Sequence, residues 1–238
     1  MKFNPKKIVK SKVALFDLDG TVFSAANKLH DEATNVALKQ VYEVGTLKSQ
    51  IVNDGMTDMQ LIIEVLKLHG LTKPQVMEKF PQMLKVMNDY FMQRVKSKDY
   101  SALPGVRKLA EHFRANGVPN GILTGNPEKI AWKKLEIAGV KHLFDFGAFG
   151  DKTDKRVELV DEAKEKIDAK YGIDFPVGNF VIIGDTPKDI QCARDAEIPV
   201  LAVSTGRFSY EQLALEKPDI LVKSLEELEN IAPFFNLS

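Results

Sequence analysis

A chain of 238 residues with 33 basic and 33 acidic side chains has no net formal charge, so it has no general attraction for nucleic acid. A single cysteine, Cys192, excludes an internal disulfide and a cysteine-built metal site, as in a reducing compartment. No apolar run approaches the roughly 18 residues of a membrane span, and the short run after the N-terminal lysines is broken by Asp17 before it can act as a secretion signal, so a cytoplasmic protein with no membrane partner is expected.

Lys2, Lys6, Lys7, Lys10 and Lys12 form a basic stretch that reads as a solvated tail. The first strand follows in "KVALFDLDGTVF", an apolar run that ends in Asp17, Leu18, Asp19, Gly20 and Thr21. From about Ser24 to Ser101 the pattern is helix after helix ("DEATNVALKQVYEVG", "DMQLIIEVLKLHG", "PQVMEKFPQMLKVMNDYFMQRV") with no comparable strand between. Residues 24–101 are therefore read as a helical insertion, with 1–23 and 102–238 as one core domain. In "NDGMTDMQLI", Met56, Thr57 and Asp58 are candidates to face a substrate, with Thr57 or Asp58 as a cap of the next helix the alternative. The methionines at 77, 83, 87 and 92 read as filling of the insertion's core.

From Pro104 onward helices and strands alternate. "GVRKLAEHFRANG" has helical spacing of Val106, Leu109, Ala110 and Phe113 and leads into the strand "GILT". "NPEKIAWKKLEIAG" reads as a helix capped by Asn126 with Pro127 at its first position. Then come the strand "FDFGAFG", a helix over 157–171, the strand "FVIIGD", a helix over 187–196, "PVLAVST", a short helix near Tyr210, "DILV" and a last helix. Apolar strands each followed by a helix predict an α/β fold: a Rossmann-like parallel sheet with helices on both faces. Trp132 and Phe113 are assigned to packing on it, Cys192 to an inert buried place, and the scattered His30, His69, His112 and His142 to surface or core.

Ligands of such sheets sit beyond the carboxyl ends of the strands. There the chain places Asp17, Asp19 and Thr21; then Thr124, Gly125 and Asn126; then Asp185, Thr186 and Asp189. If these ends meet, each pair of carboxylates at about 4 Å repels by about 4 kcal/mol at an effective dielectric of about 20. A hard dication with oxygen ligands offsets that, and the lack of a cysteine or histidine cluster favours Mg²⁺ over zinc. Such an ion keeps positions open for a phosphate, to which the Thr21 and Thr124 hydroxyls and the backbone at Gly20 and Gly125 can donate. Asp17 can attack phosphorus, and Asp19 can give and take the proton. Asp19-Gly20 as a plain turn and Thr186 as a plain helix cap are the bland readings of the same residues.

"FDLDGTVF", "ILTGN" and "VIIGDTPKDIQCA" resemble, in order, the first, second and fourth motifs of the haloacid dehalogenase-like hydrolases, chiefly their phosphatase branch. The resemblance implies Asp17 as nucleophile, Asp19 as acid and base, and Thr124 on the phosphoryl group. It implies Mg²⁺ on the Asp17 carboxylate, the Asp19 carbonyl and Asp185, with Asp189 beside them, and a mobile helical cap in the insertion. The third motif departs: the family's lysine, often followed by proline, is replaced by "DKTDKRVELV", which offers Lys152, Lys155 and Arg156. Arg156 is preferred to Lys155 because it stands just before the apolar-periodic Val157, Leu159 and Val160. The expected activity is Mg²⁺-dependent hydrolysis of a small phosphate ester such as phosphoglycolate, a sugar phosphate or a nucleotide monophosphate, by a monomer or homodimer. A phosphomutase of the β-phosphoglucomutase type keeps both acids and is the alternative, as is a non-catalytic binder that retains Mg²⁺. A dehalogenase is disfavoured, having no use for the acid at position 19.

Overall fold

The computed structural model describes residues 12–45, 51 and 55–237; Lys2, Lys6, Lys7 and Lys10 of the basic stretch, and Asn53 and Asp54 of "NDGMTDMQLI", lie outside them. Six strands form one parallel sheet: β1 (Val13–Phe16), β2 (Asn120–Thr124), β3 (Phe146–Phe149), β4 (Phe180–Gly184), β5 (Val200–Val203) and β6 (Ile220–Val222), in the spatial order β3-β2-β1-β4-β5-β6. β1 is central because every residue in it is buried and apolar, which suits a strand covered on both faces. Its alternation divides the two layers. Ala14 and Phe16 join one core cluster, Val13 and Leu15 the other.

Helices α4 (Val106–Ala115), α5 (Glu128–Ile137) and α9 (Leu228–Phe234) cover the first face; α6 (Glu158–Tyr171), α7 (Pro187–Asp195) and α8 (Tyr210–Leu215) cover the second. Phe113 of α4 packs on Phe16 and Phe235, with ring centroids 6.2 and 4.3 Å away, whereas Trp132 packs on Phe149 at 5.7 Å and is only partly buried. Cys192 is buried and free, among Ile190 and Ala193.

Between β1 and α4 lie α1 (Leu29–Tyr42), α2 (Asp58–Lys67) and α3 (Lys73–Arg94). Their buried apolar side chains, including Ala37, Ile62, Phe80 and Met83, belong to the same cluster as the α4 face. The two connections to this insertion lie side by side: Phe23 bridges Ala102, and the Leu103 N–H donates to the Val22 carbonyl at 2.9 Å. Tyr100 joins the layers there, with Phe23 and Phe91 rings 5.7 and 6.2 Å away. Met83 and Met87 are fully buried in that shared cluster, Met77 is only partly buried against it, and Met92 is 38% exposed. No helix among the described residues is long and apolar enough to cross a membrane.

The register places the site. Phe16 pairs with Ile122 on one side and Ile183 on the other. The polar residues that follow all three strands therefore emerge at one level, at the point where the strand order reverses about β1.

Candidate active site

Leaving β1, the chain makes a tight turn in which Val22 and Phe23 N–H groups donate to the Leu18 carbonyl and the Gly20 N–H donates to the Phe23 carbonyl at 2.7 Å. Gly20 has φ +101°, and a Cβ there would lie 2.2 Å from Asp185 Oδ2. Both the turn and the close approach of β4 thus require glycine. The turn breaks the alternation of the strand, so Asp17 and Asp19 both line one cavity of about 190 Å³ with Thr124, Gly125, Asn126, Arg156 and Asp185. A larger open groove of about 1020 Å³, lined by residues such as Met92, Trp132 and His142, lies away from these strand ends.

Two clusters meet in the cavity. In the first, Asp17, Asp185 and Asp189 each bring a carboxylate oxygen within 4.8 Å of the others, and all three residues are buried. Arg156, just before α6, donates through one nitrogen to Asp17 Oδ1 at 2.9 Å and Asp189 Oδ1 at 2.5 Å, and through the other to the Gly55 carbonyl at 3.1 Å. Asp189 is fully engaged, because its other oxygen accepts from the Thr186 N–H and hydroxyl in the capping box of α7. The Thr21 hydroxyl donates to Asp185 Oδ1 at 2.7 Å, so it serves that carboxylate and does not line the cavity. Burial, then the charge of Asp189, pushes Asp17 up to about 7 against the pull of Arg156. Asp185 is raised well above the usual range by burial and by the charges of Asp17 and Asp189.

The second cluster surrounds Asp19. Lys134 of α5 donates to both of its oxygens, at 2.8 and 2.7 Å, and to Asn126 Oδ1 at 2.6 Å. Asn126 donates in turn to Asp19 Oδ2 and to the Thr124 hydroxyl oxygen, each at 2.7 Å. Burial pushes Asp19 upward, but the charge and hydrogen bonds of Lys134, with His30 and Asn126, outweigh it and hold the carboxyl below its usual value.

Several expectations need correction. Asn126 does not cap α5: that helix starts at Glu128 with Pro127 at the cap position, because the Asn126 side chain is taken by Asp19, Thr124 and Lys134. Thr57 does not face the cavity; it is fully buried and its hydroxyl accepts from the Gln60 N–H at 3.1 Å as the cap of α2. Met56 and Asp58 line the cavity from that segment instead, where the Asp58 N–H donates to the Gly125 carbonyl at 2.8 Å. A Cβ on Gly125 would lie 2.0 Å from the Met56 carbonyl oxygen, so only glycine lets the two segments meet. Lys155 points to solvent and pairs with Glu158 at 3.0 Å, and Lys152 is an exposed surface lysine. Of the three cations offered by the third motif, only Arg156 enters the cavity.

Sequence reasoning missed Lys134 and His30. Lys134 could have been found as the one charged position among Ile130, Ala131 and Leu135 on the buried face of α5. His30 lines the cavity with its Nε2 2.7 Å from Asp58 Oδ2, and nothing in the spacing of the histidines shows it.

An acid cluster thus lies at the switch point of a parallel α/β sheet, with Arg156 turned onto it, Lys134 onto the neighbouring Asp19, and Arg207 lining the same cavity, the setting of a candidate anion-binding active site. Residues 14–203 match the haloacid dehalogenase-like hydrolase family. The chain belongs to that family and is a hydrolase. The phosphoglycolate phosphatase of Escherichia coli K12 is 24% identical over 228 residues, covering 90% of this chain and 89% of that protein. Among solved structures, CbbY from Rhodobacter sphaeroides in complex with phosphate has a TM-score of 0.70 at 17% identity, covering 95% of this chain and 100% of that one. β-Phosphoglucomutase from Clostridium difficile has a TM-score of 0.68 at 20% identity, covering 95% and 97%.

Proposed function

We propose that the chain is a Mg²⁺-dependent phosphatase that hydrolyses a small phosphate monoester through an aspartyl phosphate on Asp17. The observation that carries this reading is the sharing of one cavity by Asp17 and Asp19 with opposite electrostatic settings, the first beside Arg156 and Asp185, the second beside Lys134. The family's phosphatases and the E. coli relative support the ester class, and a cavity of about 190 Å³ suits a phosphoryl group with a small leaving group.

The residues fit a hard dication. The donors are all oxygen, and Asp17 and Asp185 are held raised first by burial and then by the negative charge of their neighbours, the second of which a cation would relieve. Asp17 and Asp185 would hold it, with the Asp19 carbonyl; Asp189 would stand behind them, since both of its oxygens are already bound. The ion would neutralise the carboxylates and the phosphoryl oxygens.

The protein's own groups do the rest. Arg156 fixes the Asp17 carboxylate through Oδ1, leaving Oδ2 to attack phosphorus. The Thr124 hydroxyl accepts from Asn126 and retains its own proton to donate to a phosphoryl oxygen, and the backbone at Gly125 and Asn126 borders the same space. Asp19 protonates the leaving oxygen and then takes a proton from the water that attacks the phosphoryl group. Residues 24–101 would act as the cap over a core of 1–23 and 102–238, a division supported by the adjacent connections at Phe23 and Ala102. Closure of such a cap excludes water from the first step.

Phosphate release from a panel of monoesters, with Mg²⁺ and with excess chelator, tests the reading. Release that depends on Mg²⁺ and falls by more than about 10⁴-fold in Asp17→Asn is expected. Full turnover in Asp17→Asn, or release indifferent to chelator, would overturn it.

A further inference from the structure

Lys134 is 1% exposed, on the buried face of α5, and all three donors of its ammonium are in use. Lys134, Asp19 and Asn126 form a closed ring, since Lys134 donates to Asp19 and Asn126 and Asn126 donates to Asp19. The three members come from α5, the turn after β1 and the end of β2. The Tyr100 ring lies 5.3 Å from the ammonium on the side of the insertion. A buried ion pair is seldom the most stable way to fill such a space; apolar side chains of similar volume are often as good or better. Nor does Asp19 need a partner to survive burial, because its side chain is 31% exposed into the cavity. What the ring supplies is orientation: both carboxylate oxygens are fixed from behind, and the same Asn126 amide ties them to Thr124.

We propose that Lys134 is the positioning residue for proton transfer in this site, holding Asp19 in the one orientation from which it serves the leaving oxygen. The inference rests on the reading of Asp17 as nucleophile and Asp19 as acid and base. In the first step an Asp17 oxygen bonds to phosphorus, the bond from phosphorus to the leaving oxygen breaks, and that oxygen takes its proton from the minor protonated form of Asp19, a group that Lys134 keeps mostly ionised between turnovers. In the second, a water oxygen bonds to phosphorus, its proton passes to Asp19, and the bond from phosphorus to Asp17 breaks, which restores both carboxyl groups. Between the steps Asp19 is a carboxylate, and the Lys134 ammonium is placed to hold that form still.

The test compares two leaving groups. p-Nitrophenolate departs without a proton, whereas an alkoxide needs one, so kcat/KM is measured for p-nitrophenyl phosphate and for the best primary alkyl phosphate of the panel. Lys134→Met is expected to lower the alkyl value by about 10²-fold or more and the aryl value by less than about tenfold. Lys134→Gln, which keeps two N–H donors but no charge, is expected to fall between the wild type and Lys134→Met, and it decides the matter if thermal melting shows that Lys134→Met does not fold. Equal losses for both esters, or an unchanged alkyl value, would overturn the positioning role. Wild-type protein inactive on every ester would overturn the reading of Asp17 and Asp19 itself, a distinct result.

Discussion

Asp17 and Asp19 stand two residues apart on the same turn, yet one is raised to about 7 and the other lies below the usual carboxylate range. The difference comes from the walls. Asp17 stands with Asp185 and Asp189, three buried carboxylates together, and shares the Arg156 guanidinium with Asp189. Asp19 has a lysine to itself and an amide besides. A pair of like residues is thereby divided into a group that awaits a cation and a group already supplied with one.

The strongest way to break this comparison is to remove the shared cation. Arg156→Ala leaves Asp17 and Asp189 buried without a counterion, and a loss of about 3 kcal/mol or more in stability by chemical denaturation is expected. Lys155→Ala, at an exposed surface pair, should stay within about 0.5 kcal/mol of the wild type. Equal effects of the two substitutions would mean that the third motif has been assigned to the wrong residue.

A gentler way is to titrate. Asp17 is raised in the folded chain from 3.8 to about 7, so the folded state binds a proton there that the unfolded state has lost. Its contribution to stability is complete below pH 3.8 and is lost as pH rises through about 7. In that window it lowers the stability of the metal-free protein by up to about 1.4 kcal/mol per pH unit. Asp185 is shifted in the same direction and adds to the effect. Thermal melting in chelator should therefore show a falling midpoint from pH 5 to 7.5 (about the span of the window), and added Mg²⁺ should restore it most at the upper end. A midpoint that ignores Mg²⁺ at neutral pH would show that the acid cluster does not hold the ion.

The same contrast explains what could be read in the chain. The sheet was legible because each strand is a short apolar run, and the cluster around Asp17 because these runs end in carboxylates whose register brings them level. Arg156 was legible from its place before the apolar period of α6. The ring around Asp19 was not, because each member carries a local signal for something else. Asn126 before Pro127 looks like a helix start, and Lys134 has the sequence look of a surface lysine in "WKKLE". Tertiary demand overrides both: the side chain of Asn126 is worth more to Asp19 and Lys134, buried together, than to the helix end, where Asp151 accepts from the Glu128 N–H at 3.2 Å instead.

Thr57 offers the smallest test, and it separates local from tertiary claims on a threonine. Its hydroxyl ends on the Gln60 N–H, and the cavity beside it is bounded by Met56 and Asp58. Thr57→Ala should therefore cost about 1 kcal/mol of stability, the usual value of a lost cap, as measured by denaturation. Its KM for the best ester should stay within about twofold of the wild type, since that range corresponds to less than one hydrogen bond. A tenfold rise in KM without loss of stability would instead put the hydroxyl on the substrate, and would mean that α2 turns its first residues toward the cavity when the insertion closes over a bound ester.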